Sequence, residues 1–197
     1  MSLPQLQHPG YTLEDWKTWA GHWELIHGVA YPTYGMTPAP SLEHQRVSRR
    51  LERAIEDALE EGKRKSRGGE CEMFHAPLDV FLSEINVYQP DVIFISNQRR
   101  SILTEHGLEG APDLAVEVLS PGTARFDKGS KRKVYARTGV KELWLVDVEA
   151  KLIHVYQLTK DAETPAATYD EKSVFTSPLL PGLRLKAALI FKSPLRR

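Results

Sequence analysis

The spacing of apolar positions predicts a mixed succession of helices and short strands. Thr12-Leu-Glu-Asp15 has the form of a helix start, a threonine cap with an acid three residues on, and Leu13, Trp16 and Ala20 follow at helical spacing. This predicts a first helix over about residues 12–20. Trp23 to His27 and Val29 to Tyr31 read as two short strands around Gly28, followed by a loop with Pro32, Gly35, Pro38 and Pro40. From Ser41 to about Gly62, Val47, Leu51, Ala54, Ile55, Ala58 and Leu59 recur every three or four residues, the mark of an amphipathic helix. His44 lies on the same stripe, three residues before Val47. It is either a packed or capped helix end or a side chain pointing into a site there.

Residues 70–82 hold one strand, or two around Pro77, and Pro90 to Ile95 reads as a short apolar strand. Residues 97–112 have no strong period and form a functional loop or hide a short helix. Asp113 to Leu119 is the most buried-looking strand, interrupted by one acid, Glu117. A turn at Ser120-Pro-Gly-Thr123 leads into a basic helix over 127–138, closed by a glycine cap at Gly139. Glu142 to Asp147 is a second buried strand, and Leu152 to Thr159 follows across a turn. Beyond it, 160–172 reads as a polar, acidic loop, and Val174-Phe175 and Leu183 to Leu185 as edge strands. No repeat or linker divides the chain, so the expectation is one α/β domain, α+β in character, over residues 1–197.

Composition narrows the class. With 197 residues, 41% hydrophobic and 26% charged, the chain is long enough for a real core. Its 26 basic and 26 acidic residues cancel, which tells against binding nucleic acid through bulk charge. The cancellation is uneven: seven cations face one acid over 125–141, and seven acids face two lysines over 142–171. A basic helix thus precedes an acidic segment, which leaves room for local phosphate contact. One cysteine, Cys71, excludes an internal disulfide or a thiol-rich zinc site. With no apolar run long enough to export or anchor the chain, a cytoplasmic protein with no membrane partner is expected. Phosphate-loop, dinucleotide-binding, serine-hydrolase and zinc-protease motifs are absent.

What remains is a set of acids on apolar strands, costly to bury unless paired or coordinated. Asp91 opens one strand and Glu117 lies in another. Two oxygen-donor acids with a backbone carbonyl beside them suit a hard cation such as Mg²⁺ or Mn²⁺. Asp127, Lys131 and Tyr135 step by four along the basic helix and share the side near Val134, whereas Lys133 points nearly the opposite way. For Lys131 the plain alternative is a surface salt bridge to Asp127, worth little. Asp113 shares a strand face with Glu117 but lies roughly 13 Å from it, too far to bind one small ion, so it reads as a strand cap. Asp79 and Asp147 also read as turn acids.

Pro90-Asp91, Glu117-Val-Leu-Ser-Pro, Asp127 with Lys131 and Tyr135, and Gly139 to Asp147 together resemble the Uma-two family of the PD-(D/E)XK nuclease superfamily. Glu24-Leu-Ile-His-Gly28 and His44 are similar to that family too, and the likeness spans roughly 12–158. The resemblance implies a restriction-endonuclease-like mixed β-sheet flanked by helices and a divalent-metal-dependent endonuclease acting on nucleic acid, most naturally DNA. It implies Mg²⁺ or Mn²⁺ held by Asp91, Glu117 and the Val118 carbonyl, with Glu24 as a further ligand or water holder. Lys131 would orient or help deprotonate the attacking water, Lys133 and Lys128 being lesser choices. Ser120 and Thr123 would shape the turn, with Thr123 near a phosphate, and a homodimer is expected. The sequence departs from the superfamily at Leu119, where a lysine is expected. That departure, with Trp16, Trp19 and Trp23 as contact surface, leaves a second reading, a non-catalytic dimeric binding module.

Overall fold

The computed structural model describes residues 10–33, 41–65, 71–120 and 124–192. Among them the strands form two six-stranded sheets and a two-stranded ribbon rather than one sheet. The first sheet is ordered β2-β1-β5-β4-β8-β7. It contains β1 (Trp23–Ile26), β2 (Val29–Pro32), β4 (Val80–Ser83), β5 (Asn86–Tyr88), β7 (Leu103–Thr104) and β8 (Gly107–Leu108). The second is ordered β12-β11-β10-β9-β6-β3. It contains β3 (Glu72–His75), β6 (Val92–Ile95), β9 (Leu114–Leu119), β10 (Glu142–Asp147), β11 (Leu152–Gln157) and β12 (Ala167–Asp170). The ribbon pairs β13 (Val174–Thr176) with β14 (Arg184–Lys186). The mixed α/β class therefore holds, with both parallel and antiparallel pairings in each large sheet.

The central pairing is β9 with β10, parallel and buried almost throughout. Parallel neighbours need a crossover, and the basic helix supplies it. Its parts are α3 (Ala124–Phe126), a π turn (Asp127–Lys131) and α4 (Arg132–Thr138), closed by Gly139 at φ 96°. That left-handed cap suits glycine. On the other face of the sheet lies α2 (Leu42–Lys65), whose Val47, Leu51, Ile55 and Ala58 pack on Val92, Phe94, Val116, Trp144 and Val146. The crossover helix packs Val134 and Tyr135 against Ala115, Leu119, Leu143 and Leu145, and also meets Ile26 and Tyr88 of the first sheet. It therefore lies where both sheets can reach it.

Several expectations change. Helix α1 covers only Leu13–Trp16, because after a full capping box at Thr12 and Asp15 the chain turns at Lys17. The stretch 97–112 is a 3₁₀ turn (Asn97–Ile102) and the β7–β8 hairpin. Strand β12 emerges from the expected acidic loop, and α5 (Ala187–Phe191) follows β14. Trp19 and Trp23 are buried with Leu25, Ala30 and Val87, which removes them as contact surface. No helix among the described residues is long and apolar enough to cross a membrane.

Candidate active site

Backbone register brings the acids together. Strands β6 and β9 are antiparallel, with Val92 opposite Val116. Continued by one residue, the pairing sets Asp91 opposite Glu117, and side chains of opposed residues share a sheet face. The Val118 N–H donates to Asp91 Oδ2 at 2.7 Å, and His44 Nε2 lies 3.4 Å from the same oxygen. His44, in the first turn of α2, also hydrogen-bonds the Val118 backbone. It thus touches the acid and the peptide group singled out from the sequence. Burial alone would lower the imidazole pKa, but Asp91 and the Val118 bond outweigh that and raise it.

The crossover helix sends Lys131 into the same region. Its ammonium is 3% exposed and lies 2.8 Å from Glu24 Oε1, 3.3 Å from Asp127 Oδ1 and 3.5 Å from Glu117 Oε1. The surface-salt-bridge reading of Lys131 with Asp127 thus gives way to a buried cage. Burial would lower the ammonium pKa, yet Glu117, Glu24 and Asp127 together hold it well above the usual value. Glu117 is pushed well up by burial, reinforced by Asp127, Glu24 and Asp91 and opposed by Lys131. Tyr135 donates to Glu117 Oε1 at 2.6 Å, and the Tyr88 ring lies 5.4 Å from the Lys131 ammonium. Of the lesser lysines, Lys133 is exposed on the far side of the helix and Lys128 pairs with Asp147 at 3.2 Å. Ser120 follows β9 and its carbonyl accepts from Ala124 N–H; Thr123 lies outside the described residues.

A family model described as "Putative restriction endonuclease", Uma2, matches residues 12–188. The chain belongs to the Uma2 family. Its match extends some thirty residues beyond the likeness expected from the motifs, through β12–β14 and into α5. No curated protein sequence matches this Uma2 chain. Among solved structures it is similar to one described as a "putative nuclease belonging to DUF820 from Anabaena variabilis ATCC 29413", at 17% identity and a TM-score of 0.72. The likeness covers 92% of this chain and 98% of that one, and it shows a shared fold.

The Uma2 site fits a hard divalent cation in the chemistry of its donors. Glu24, Glu117 and Asp127 crowd around one ammonium, with Asp91 on the sheet face beside Glu117, a surplus of acid in a poorly hydrated space. In three of these carboxylates the hydrogen bonds and ion pairs among the described residues fall on one oxygen each: Glu24 Oε1, Asp91 Oδ2 and Glu117 Oε1. The second oxygen of each is left as a donor. No three His, Cys, Asp or Glu side chains among the described residues converge as a ready cage. A cation here would rest on one or two carboxylates, a carbonyl and waters, the habit of Mg²⁺.

Gln89 and Tyr88 are site residues that sequence patterns passed over. The Gln89 N–H donates to Glu24 Oε1 at 2.8 Å, and its side chain bridges Asp79 and Thr33. Their one signal was position, immediately before Pro90-Asp91. Asp113 is held away from the site: it accepts from Ser96 N–H and pairs with Lys141 at 2.6 Å.

Proposed function

We propose that this Uma2 chain is a divalent-metal-dependent endonuclease that hydrolyses phosphodiester bonds of DNA at Asp91, Glu117, Glu24 and Lys131. The observation that carries this reading is the surplus of buried acid around a single lysine, which isolated folding stability disfavours and a bound dication would offset. Asp91, Glu117 and the Val118 carbonyl would hold Mg²⁺ or Mn²⁺, with Glu24 in support. When bound, the ion supplies Lewis acidity and a more acidic water at the scissile phosphate.

The chain's own groups do the positioning. Val118 N–H and His44 fix the Asp91 carboxylate, and Tyr135 fixes Glu117. Lys131, charged and tethered to Glu24, is a hydrogen-bond donor placed to orient a water and offset charge building on the phosphate. Purified protein with Mg²⁺ or Mn²⁺ should cleave single-stranded, duplex or branched DNA. Lys131→Ala should lower the rate by about 10²–10³-fold, and Asp91→Ala or Glu117→Ala should abolish it. DNA left intact, or calorimetric ion binding unchanged in the Asp91→Ala, Glu117→Ala double variant, overturns the assignment.

One observation favours a non-catalytic module of the same fold: Leu119, where the superfamily lysine is expected, is packed with Val134 and Tyr135. DNA binding without cleavage under every metal would establish that reading. Both readings include a homodimer, which sedimentation velocity tests.

A further inference from the structure

Folding disarms most of the basic segment. Of its seven cations, Lys131 is caged, Lys128 pairs with Asp147, Lys141 with Asp113, and Arg132 with Glu163 at 2.9 Å. Of the other three, Arg125 is exposed on α3, and on α4 two exposed cations make no ion pair among the described residues, Lys133 and Arg137. Four apart on α4, they share one face, and both line a depression of about 540 Å³ that His27 also lines. The one acid in the lining, Glu163, is already neutralised by Arg132, itself seated over the Tyr156 ring. The lining therefore sets two cations against one acid that Arg132 already holds, a net positive surface.

His27 strengthens the point. It occupies the β1–β2 turn at φ 52°, a left-handed conformation that glycine or asparagine adopts more readily. Its N–H donates to Asn86 Oδ1, which also accepts from the Tyr88 hydroxyl beside the cage. The turn is thus pinned to the site, and its backbone gives no reason for an imidazole. The same helix turns Lys131 inward and Lys133 outward, so the depression lies about one helix diameter, some 10 Å, from the cage.

From this geometry we infer that Lys133, Arg137 and His27 form a phosphate subsite that grips the sugar–phosphate backbone of a nucleic acid strand to one side of the cleavage position. The inference rests on the nuclease reading for its purpose, but its test does not need cleavage. Fluorescence anisotropy with a short labelled single-stranded oligodeoxynucleotide, in EDTA, reads binding alone. Lys133→Glu/Arg137→Glu should weaken binding about tenfold or more, and the milder Lys133→Ala/Arg137→Ala should make log K against log salt shallower by about 1.4, two contacts at ~0.7 each. His27→Ala should weaken it less. Affinity and salt slope unchanged in both double variants overturn the subsite. So does binding of inorganic phosphate, lost in the same variants, without oligonucleotide binding, since the site would then serve a free anion. Variant-sensitive binding with no cleavage under any metal supports the subsite and defeats the nuclease reading; cleavage with variant-insensitive binding does the reverse.

Discussion

Burial strips an ammonium of water and favours its neutral form, so Lys131 stays charged only because Glu117, Glu24 and Asp127 surround it. The dependence is mutual, and it makes the two sides of the cage unequal under mutation. Lys131→Met removes the one cation and leaves three buried acids facing each other, a loss of about 3–5 kcal/mol. In a chain of this size that lowers the melting temperature by roughly 6–20 °C. Glu117→Gln acts oppositely: the amide oxygen still accepts from Tyr135, while one of the surplus charges disappears. Its melting temperature should equal or exceed the parent's even as activity is lost, the pattern of a site that trades stability for chemistry. Thermal melts at neutral pH check both, and a Lys131→Met protein as stable as the parent would mean that water solvates the cage. The lysine itself was legible from helical period, since it shares a face with Tyr135. Its principal partner was not, because Glu24 lies 107 residues away and no local pattern records that distance.

Elements with long periodic or apolar signatures were the legible ones. Helix α2 and strands β9 and β10 stand close to where the hydrophobic spacing puts them. The short strand β5 begins with a buried asparagine whose partners, Ser83, Tyr88 and the His27 N–H, only the fold assembles. Helix α5 lies just beyond the edge strand read at Leu183 to Leu185, where no element was expected, and its burial against the α2 core is a tertiary fact. Least legible was the π turn, because hydrophobic period does not reveal one extra residue in a helix. That turn buries both Asp127 and Lys131 on the inner side, and Gly129 within it has open space where a Cβ would stand. Gly129→Ala should therefore keep activity and stabilise the helix by up to about 1 kcal/mol. Deleting Gly129 should relax the turn to α-helix and leave Asp127 three rather than four residues from Lys131, at an α-helical i,i+3 spacing in place of the π-turn geometry. Circular dichroism should show the fold retained and cleavage sharply reduced; full activity in the deletion would show that the turn does not position Asp127.

Across the whole molecule, charge that looks superficial in the sequence is spent on joining elements, and Asp113 is the clearest case. Its backbone N–H donates to Phe94 in β6, and its carbonyl accepts from Lys141 and Glu142 at the entry to β10. Its carboxylate meets Ser96 N–H, Lys141 and, at 3.5 Å, Arg99, whose guanidinium also donates to the carbonyls of Ala111, Pro112 and Gly139. Three strands and the 3₁₀ turn thus converge on an acid that sequence spacing could mark only as a strand cap. That the strands divide into two sheets was likewise illegible, because the short strands of the first sheet take their partners from tertiary packing. Burial would raise the Asp113 carboxyl, but Lys141 and the Ser96 bonds outweigh it and hold it below its usual 3.8. An acid depressed in the folded state contributes its stability above the unfolded pKa and loses it as pH falls through the folded value. Asp113→Asn keeps an acceptor for Ser96 yet removes the charge facing Lys141 and Arg99, a cost of about 1–3 kcal/mol at neutral pH, moderated by the partial exposure of Lys141. Urea midpoints of parent and variant should therefore converge below about pH 4. Glu142 runs the other way, its carboxyl raised by burial despite Ser177, Trp144 and Leu179, so its ionisation costs stability as pH rises. The parent's curve mixes the two signs, whereas the difference between parent and Asp113→Asn isolates one. A gap that stays constant from neutral to acid pH would mean that Asp113 holds the strands by hydrogen-bond geometry rather than by charge.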